Sequence, residues 1–172
     1  YALSVVTSFI IEGEFRIYFK HLRVKKEISL LSDHVIICGF GRNGRQACKQ
    51  LASSHRKFVV VEKDKNIIEQ FSLSDNILFV EGDSTEDSVL EAAGIHRAYG
   101  LISTLPEDAD NVFVVLTSRE LNSKLKIVSR ASNDSAVTKL KRAGANNVIS
   151  PDKIGGTHMA ISLTKPDVLE LI

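Results

Sequence analysis

The stretch from His34 to Asp64 constrains the fold more than any other part of the chain. It reads H-V-I-I-C, then Gly39-Phe40-Gly41-Arg42-Asn43-Gly44, then R-Q-A-C-K-Q-L-A, and after a polar connector F-V-V-V-E-K-D. Val35 to Cys38 is a short apolar run closed by glycine, which suits a strand buried on both faces. Gly44 to Ser53 places Ala47, Cys48 and Leu51 at helical spacing. Phe58 to Val61 is a second buried strand. Strand, glycine turn, helix and strand together have the size of one βαβ unit.

The three glycines do different work in such a unit. Gly39 permits a tight turn out of the strand. Gly41, with no Cβ, lets backbone approach a pyrophosphate, and Gly44 lets the helix pack close to the sheet. The start of the helix offers unpaired N–H groups and a positive dipole end to an anion. Glu62, at the end of the next strand, stands where an acid accepts hydrogen bonds from ribose hydroxyls. The spacing therefore predicts a nucleotide site, against the alternative of a βα turn that binds nothing.

The pattern repeats along the chain. Asp64 caps a helix through Ile67, Ile68 and Phe71, and Ile77 to Val80 is a third strand, closed by Glu81-Gly82-Asp83-Ser84. Thr85 opens a helix over Val89, Leu90 and Ala93, ended by Gly94. Ala98 to Ile102 is a fourth strand running into Ser103-Thr104-Leu105-Pro106, and Asp108 to Leu121 a helix. Leu125 to Val128 is a fifth strand ending at Ser129-Arg130, followed by a helix from Ser135 to Ala143. Asn147 to Ile149 is a sixth strand, and Asp152 to Lys165 a last helix. Alternation on this scale predicts an α/β, Rossmann-like, doubly wound six-stranded parallel sheet with flanking helices. Ligands of such sheets lie at the carboxyl ends of the strands. There the chain carries the glycine turn, Glu62, Asp83, Thr104 and Arg130. Asp83 could instead cap a turn, Thr104 could be a turn residue, and Arg130 a surface or interface cation.

Tyr1 to Ile11 is apolar, about half the length of a membrane span, and is followed by Arg16, Lys20, Arg23, Lys25 and Lys26. Basic residues after an apolar run match the cytoplasmic end of a membrane helix. Ile11, Phe15, Tyr18 and Leu22 also suit an amphipathic helix packed on the domain or on a second copy. The net charge of +1 implies no bulk attraction to nucleic acid. Cys38 and Cys48 fall on apolar faces and read as buried free thiols. The five histidines show no metal-ligand spacing.

The Rossmann unit takes nearly the whole chain, leaving no room for a substrate domain. No Tyr is followed by Lys four residues later, and neither a G-x-S-x-G elbow nor a Walker lysine occurs. The residues point to binding rather than catalysis, with an NAD-dependent oxidoreductase fragment and a transporter-associated regulator as the other classes.

The segments H-V-I-I-C-G-F-G-R-N-G, F-V-E-G-D-S-T, L-I-S-T-L-P-E-D-A-D-N, V-S-R-A, L-K-R-A-G-A-N-N-V-I-S-P and P-D-K-I-G-G-T-H-M-A resemble the RCK/KTN (TrkA-N) domain of bacterial K⁺ channels and transporters. The resemblance implies a domain on the cytoplasmic face of the membrane that binds NAD(H) or AMP, ADP or ATP and gates K⁺ transport. It implies a homodimer, assembling to a ring, beside a pore domain in the same full-length chain. Carried over residue by residue, the nucleotide site falls on Gly39, Phe40, Gly41, Arg42, Asn43, Gly44, Glu62, Lys63, Asp83, Ser84, Thr104 and Arg130. Where calcium-gated members carry acids, this chain has Thr104, Arg130 and Ser132, so no metal is expected. The implied organisation is the end of a pore helix and a linker over 1–31, the Rossmann-like domain over 32–150, and a crossover dimerisation helix over 151–172, without the family's C-terminal subdomain.

Overall fold

The structure, a computed structural model, describes residues 22–72 and 77–165. The apolar opening segment and the positions Ile11, Phe15 and Tyr18 lie outside the described residues. A helix over residues 22–29 (α1) comes first, and it buries Ile28 in the core.

The strands are β1 (Val35–Cys38), β2 (Phe58–Glu62), β3 (Phe79–Glu81), β4 (Gly100–Ser103), β5 (Lys126–Arg130) and β6 (Asn147–Ile149). The helices between and after them are α2 (Arg42–Ser53), α3 (Lys65–Ser72), α4 (Asp87–Ala92), α5 (Asp108–Leu121), α6 (Asp134–Ala143) and α7 (Pro151–Thr164). All pairings are parallel and the order is β3-β2-β1-β4-β5-β6. The two halves diverge between β1 and β4, so the crevice lies above their carboxyl ends.

The apolar runs form the centre of the sheet because parallel strands are covered on both faces. Ile36 and Ile37 of β1 and Val59, Val60 and Val61 of β2 are wholly buried. One core packs Ile36, Val59 and Leu101 against Leu90, Val115 and Leu140. The other packs Ile37 and Val60 against Phe40, Cys48 and Phe79.

Several element ends shift from the sequence expectation. Helix α2 starts at Arg42, not Gly44, with Gly41 as its N-cap residue. Strand β3 runs from Phe79 to Glu81 rather than from Ile77 to Val80, because its ladder pairs Glu81 with Glu62 at the carboxyl edge. Helix α4 starts at Asp87, not Thr85, because the Asp83 carboxylate holds the Thr85 N–H and hydroxyl in a turn. Strand β4 begins at Gly100 rather than Ala98, since Ile95–Arg97 forms a single 3₁₀ turn after Gly94, which sits at φ +79°. Strand β5 runs one residue later at its start and two later at its end, and α6 and α7 each begin one residue earlier.

Candidate functional site

The glycine turn leaves β1 at Gly39, whose φ of +91° favours glycine. A Cβ at Gly44 would lie 2.1 Å from the Gly39 carbonyl oxygen, so only glycine lets α2 pack this close. A Cβ at Gly41 would meet nothing within 4 Å, and Gly41 is exposed. The two outer glycines are thus fixed by protein packing, and the middle one faces open space.

Above that space α2 begins with no side-chain cap. The Arg45 N–H is taken by the Gly41 carbonyl, whereas those of Arg42, Asn43 and Gly44 have no partner among the described residues. Three free donors and the positive end of a helix dipole form an anion cradle. A pyrophosphate fits here: the backbone offers donors, and the one side chain that could block approach is absent.

Glu62 closes the cradle from β2. Its Oε2 accepts the Phe40 N–H at 2.8 Å, and its Oε1 accepts the N–H groups of Lys63 and Asp64, each at 2.9 Å. A carboxylate has about four lone-pair sites, so these three bonds leave room for one ribose hydroxyl. The acid is thereby held in place before any ligand arrives.

Thr104 follows β4 and reaches across to β1. Its hydroxyl donates within reach of the Cys38 carbonyl at 3.0 Å and the Gly39 carbonyl at 3.1 Å. It clamps the base of the glycine turn. Asp83 accepts from the Thr85 N–H and hydroxyl, which hold its carboxyl below the usual carboxylate range, with Lys63 adding to the effect. Ser84 is buried, and burial pushes the Cys38 thiol up to about 12, with Ser84 acting in the opposite direction. Arg130 donates to the carbonyls of Leu105 and Pro106 at 3.3 and 3.0 Å and lies 3.6 Å from the Asp152 carboxylate. Arg42 is exposed at the first turn of α2.

Phe40 enters the site through its backbone only. Its ring is 2% exposed and meets Phe71 and Phe79 edge to face, with centroids 5.2 and 5.1 Å away. Arg45, which the sequence reading passes over, stacks on Phe71 at 4.5 Å and donates to the Phe40 carbonyl at 3.0 Å. Asn111 was also missed. It is wholly buried, accepts from the Ser103 hydroxyl and the Leu105 N–H, and donates to the carbonyls of Leu105 and Glu107. One side chain thus shapes the loop that carries Thr104. Its sequence signal is a lone amide opening an apolar helical run.

Two curated relatives from Methanocaldococcus jannaschii, Probable potassium channel protein 2 and Potassium channel protein 1, are 39% and 36% identical to the chain over its whole length. The matched region is 51% and 52% of those proteins, so the chain spans about half of their length. Among solved structures, GsuK bound to ADP is 32% identical with a TM-score of 0.67, covering 77% of this chain and 34% of that one. The GsuK channel bound to NAD is 27% identical with a TM-score of 0.65, covering 71% and 22%. The family model of the TrkA-N domain matches residues 35–151, from β1 to the first residue of α7, and the chain belongs to the TrkA-N domain family.

Proposed function

We propose that this chain is a ligand-sensing regulatory domain of a K⁺ channel or transporter, which binds NAD(H) or an adenine nucleotide at the glycine turn and couples it to gating. One observation carries the reading: an open approach at Gly41 beneath three N–H groups that have no partner among the described residues, with Glu62 hydrogen-bonded to the same turn. The GsuK structures with NAD and ADP support it, as do the channel relatives.

In this reading the N–H groups of Arg42, Asn43 and Gly44 hold phosphate and Glu62 takes a ribose hydroxyl. Lys63, Asp83, Ser84, Thr104 and Arg130 border the crevice and hold its loops. The domain senses the nucleotide without turning it over. Residues 1–31 form the end of a pore helix and its linker, 32–150 the sensor, and 151–172 a crossover helix through which a homodimer, and from it a ring, assembles on the cytoplasmic face of the membrane.

The test is calorimetric titration of NADH and ADP into wild type and Gly41→Val. A Cβ at this position would meet nothing within 4 Å, so the branched side chain of valine enters the open approach rather than a packed interior. We expect at least a tenfold loss of affinity with an unchanged melting temperature. Equal affinity in the two proteins would overturn the site.

A further inference from the structure

We infer that the edge of the sheet where the strands begin is a basic face that docks on an anionic lipid surface. The chain enters the domain at this edge: the Val35 N–H bonds the Lys57 carbonyl, and the Tyr99 N–H bonds the His34 carbonyl. Arg97 ties the end of α1 to the same edge by donating to the carbonyls of Leu31 at 3.0 Å and Ile28 at 3.4 Å. Because the helices return antiparallel to the strands, α2, α5 and α6 end here too.

Lys25, Lys26, Lys57, Lys124, Lys126 and Arg142 are exposed along this edge and make no ion pair among the described residues. Among the described acids nearby, Glu27 pairs with Arg23 and Asp33 with Arg56, while Glu91 lies 3.8 Å from the His96 ring and Glu120 has no ion pair. The opposite edge carries Glu86, Asp87, Glu107, Asp108 and Asp110 at helix starts, beside Asp134, which pairs with Lys153. Helix dipoles attract cations to helix ends, and this accounts for Lys25, Lys26 and Arg142. It does not account for Lys57 and Lys124, which lie in connectors, or Lys126, which opens a strand.

The net charge is only +1, so the charge is segregated rather than in excess. Such a domain is oriented by a negative surface, basic edge inward and acidic edge outward. A lipid surface fits better than nucleic acid because, in the sequence leading into α1, Arg16, Lys20 and Arg23 follow an apolar opening segment. The inference rests on the reading that this segment leads to a membrane.

The test is sedimentation with vesicles of phosphatidylcholine, alone or mixed with phosphatidylglycerol, at low and high salt. Wild type should bind the anionic vesicles and release them as salt rises. The triple variant Lys57→Glu, Lys124→Glu, Lys126→Glu should lose at least tenfold. The charge-matched control Lys65→Glu, Lys139→Glu, Lys153→Glu should bind like wild type. All three proteins keep the apolar opening segment, so a difference between them reports the face. Equal binding by the two variants, equal binding of wild type to both vesicles, or tighter salt-sensitive binding to duplex DNA than to anionic vesicles would each overturn the inference. ADP titration of the same proteins tests the nucleotide reading separately: a protein that docks but takes no ADP counts against that reading alone.

Discussion

The Phe40 N–H donates to the Glu62 carboxylate across 2.8 Å, so the acid that ends β2 also fastens the turn that ends β1. One group holds the glycine turn in shape, and in the proposed reading it also reserves an acceptor for a ribose. A free 2′-hydroxyl can donate to it, whereas a 2′-phosphate brings like charges together. Wild type should therefore bind NADH much more tightly than NADPH. Glu62→Gln should narrow that gap and cost about 1–2 kcal/mol of stability through the weakened bonds to the turn. Calorimetry with both cofactors and a urea titration measure the two effects. Equal affinity of wild type for NADH and NADPH would show that Glu62 does not face the ribose.

The two packing glycines should respond unlike Gly41. A methyl at Gly44 would stand 2.1 Å from the Gly39 carbonyl oxygen, which is backbone and cannot swing aside. Gly44→Ala should lower stability by about 1–3 kcal/mol, as forced overpacking does, or prevent folding. Denaturant unfolding decides it, and wild-type stability in Gly44→Ala would contradict the close approach of α2 to the turn.

Both cysteines should be silent in the folded protein. Cys38 and Cys48 are buried, and burial pushes each thiol up to about 12, leaving almost no thiolate at neutral pH. A disulfide reagent at pH 8 should label neither until denaturant is added. Rapid labelling of native protein would place one of them at the surface.

The sheet was legible where both of its faces are covered, because burial on two sides writes itself as an unbroken apolar run. Val35–Cys38 and the Phe58–Val61 run appear in the structure as expected, as does the six-stranded parallel sheet. Element ends were less legible, because side chains from elsewhere set them. Asp83 takes the Thr85 N–H and delays α4, and Glu81 joins β3 because Glu62 offers a partner. Glu62 was visible from its place after a strand, but its three N–H donors were not, since one of them comes from the preceding strand's turn. Phe40 shows the limit of carrying a motif over by position: its backbone lies in the site and its ring in the core. Asn111 has partners from β4 and the following loop that no local spacing reveals.

His34 should make stability depend on pH. It is wholly buried, its Nε2 lies 2.8 Å from the Ala93 carbonyl, and its Nδ1 has no partner among the described residues. The neutral ring with its proton on Nε2 satisfies that carbonyl. A second proton, on Nδ1, would bury a donor without an acceptor. Burial accordingly lowers the pKa below 6.5, only partly offset by the Ala93 bond, with Arg97 also lowering it. Below that value the unfolded chain takes up a proton before the folded one, so stability falls as the pH drops. The urea midpoint should be lower at pH 5.5 than at pH 7.5, and His34→Gln should show a smaller difference between the two. Identical pH dependence in the variant would rule out His34 as the source.

Helix α7 has no buried residue, although it carries Ile154, Met159 and Leu163 at 57%, 71% and 87% exposure. A helix that leaves its large apolar side chains in water gains little apolar burial from its own domain, which it meets through Arg130–Asp152 and Lys153–Asp134. A second copy offering the same helix can bury these side chains by isologous contact, and small Gly155, Gly156 and Ala160 let two backbones come close. Met159→Asp would then place a charge with no partner at the centre of the contact, which costs far more than losing the methionine's area. Light scattering at micromolar concentration should show wild type as a dimer and Met159→Asp shifted toward monomer. ADP should still bind to the variant, because α7 supplies none of the donors of the glycine turn. A wild type that stays monomeric at high micromolar concentration would count against the helix as a crossover element. It would also remove the partner against which nucleotide binding could move the linker that enters at α1.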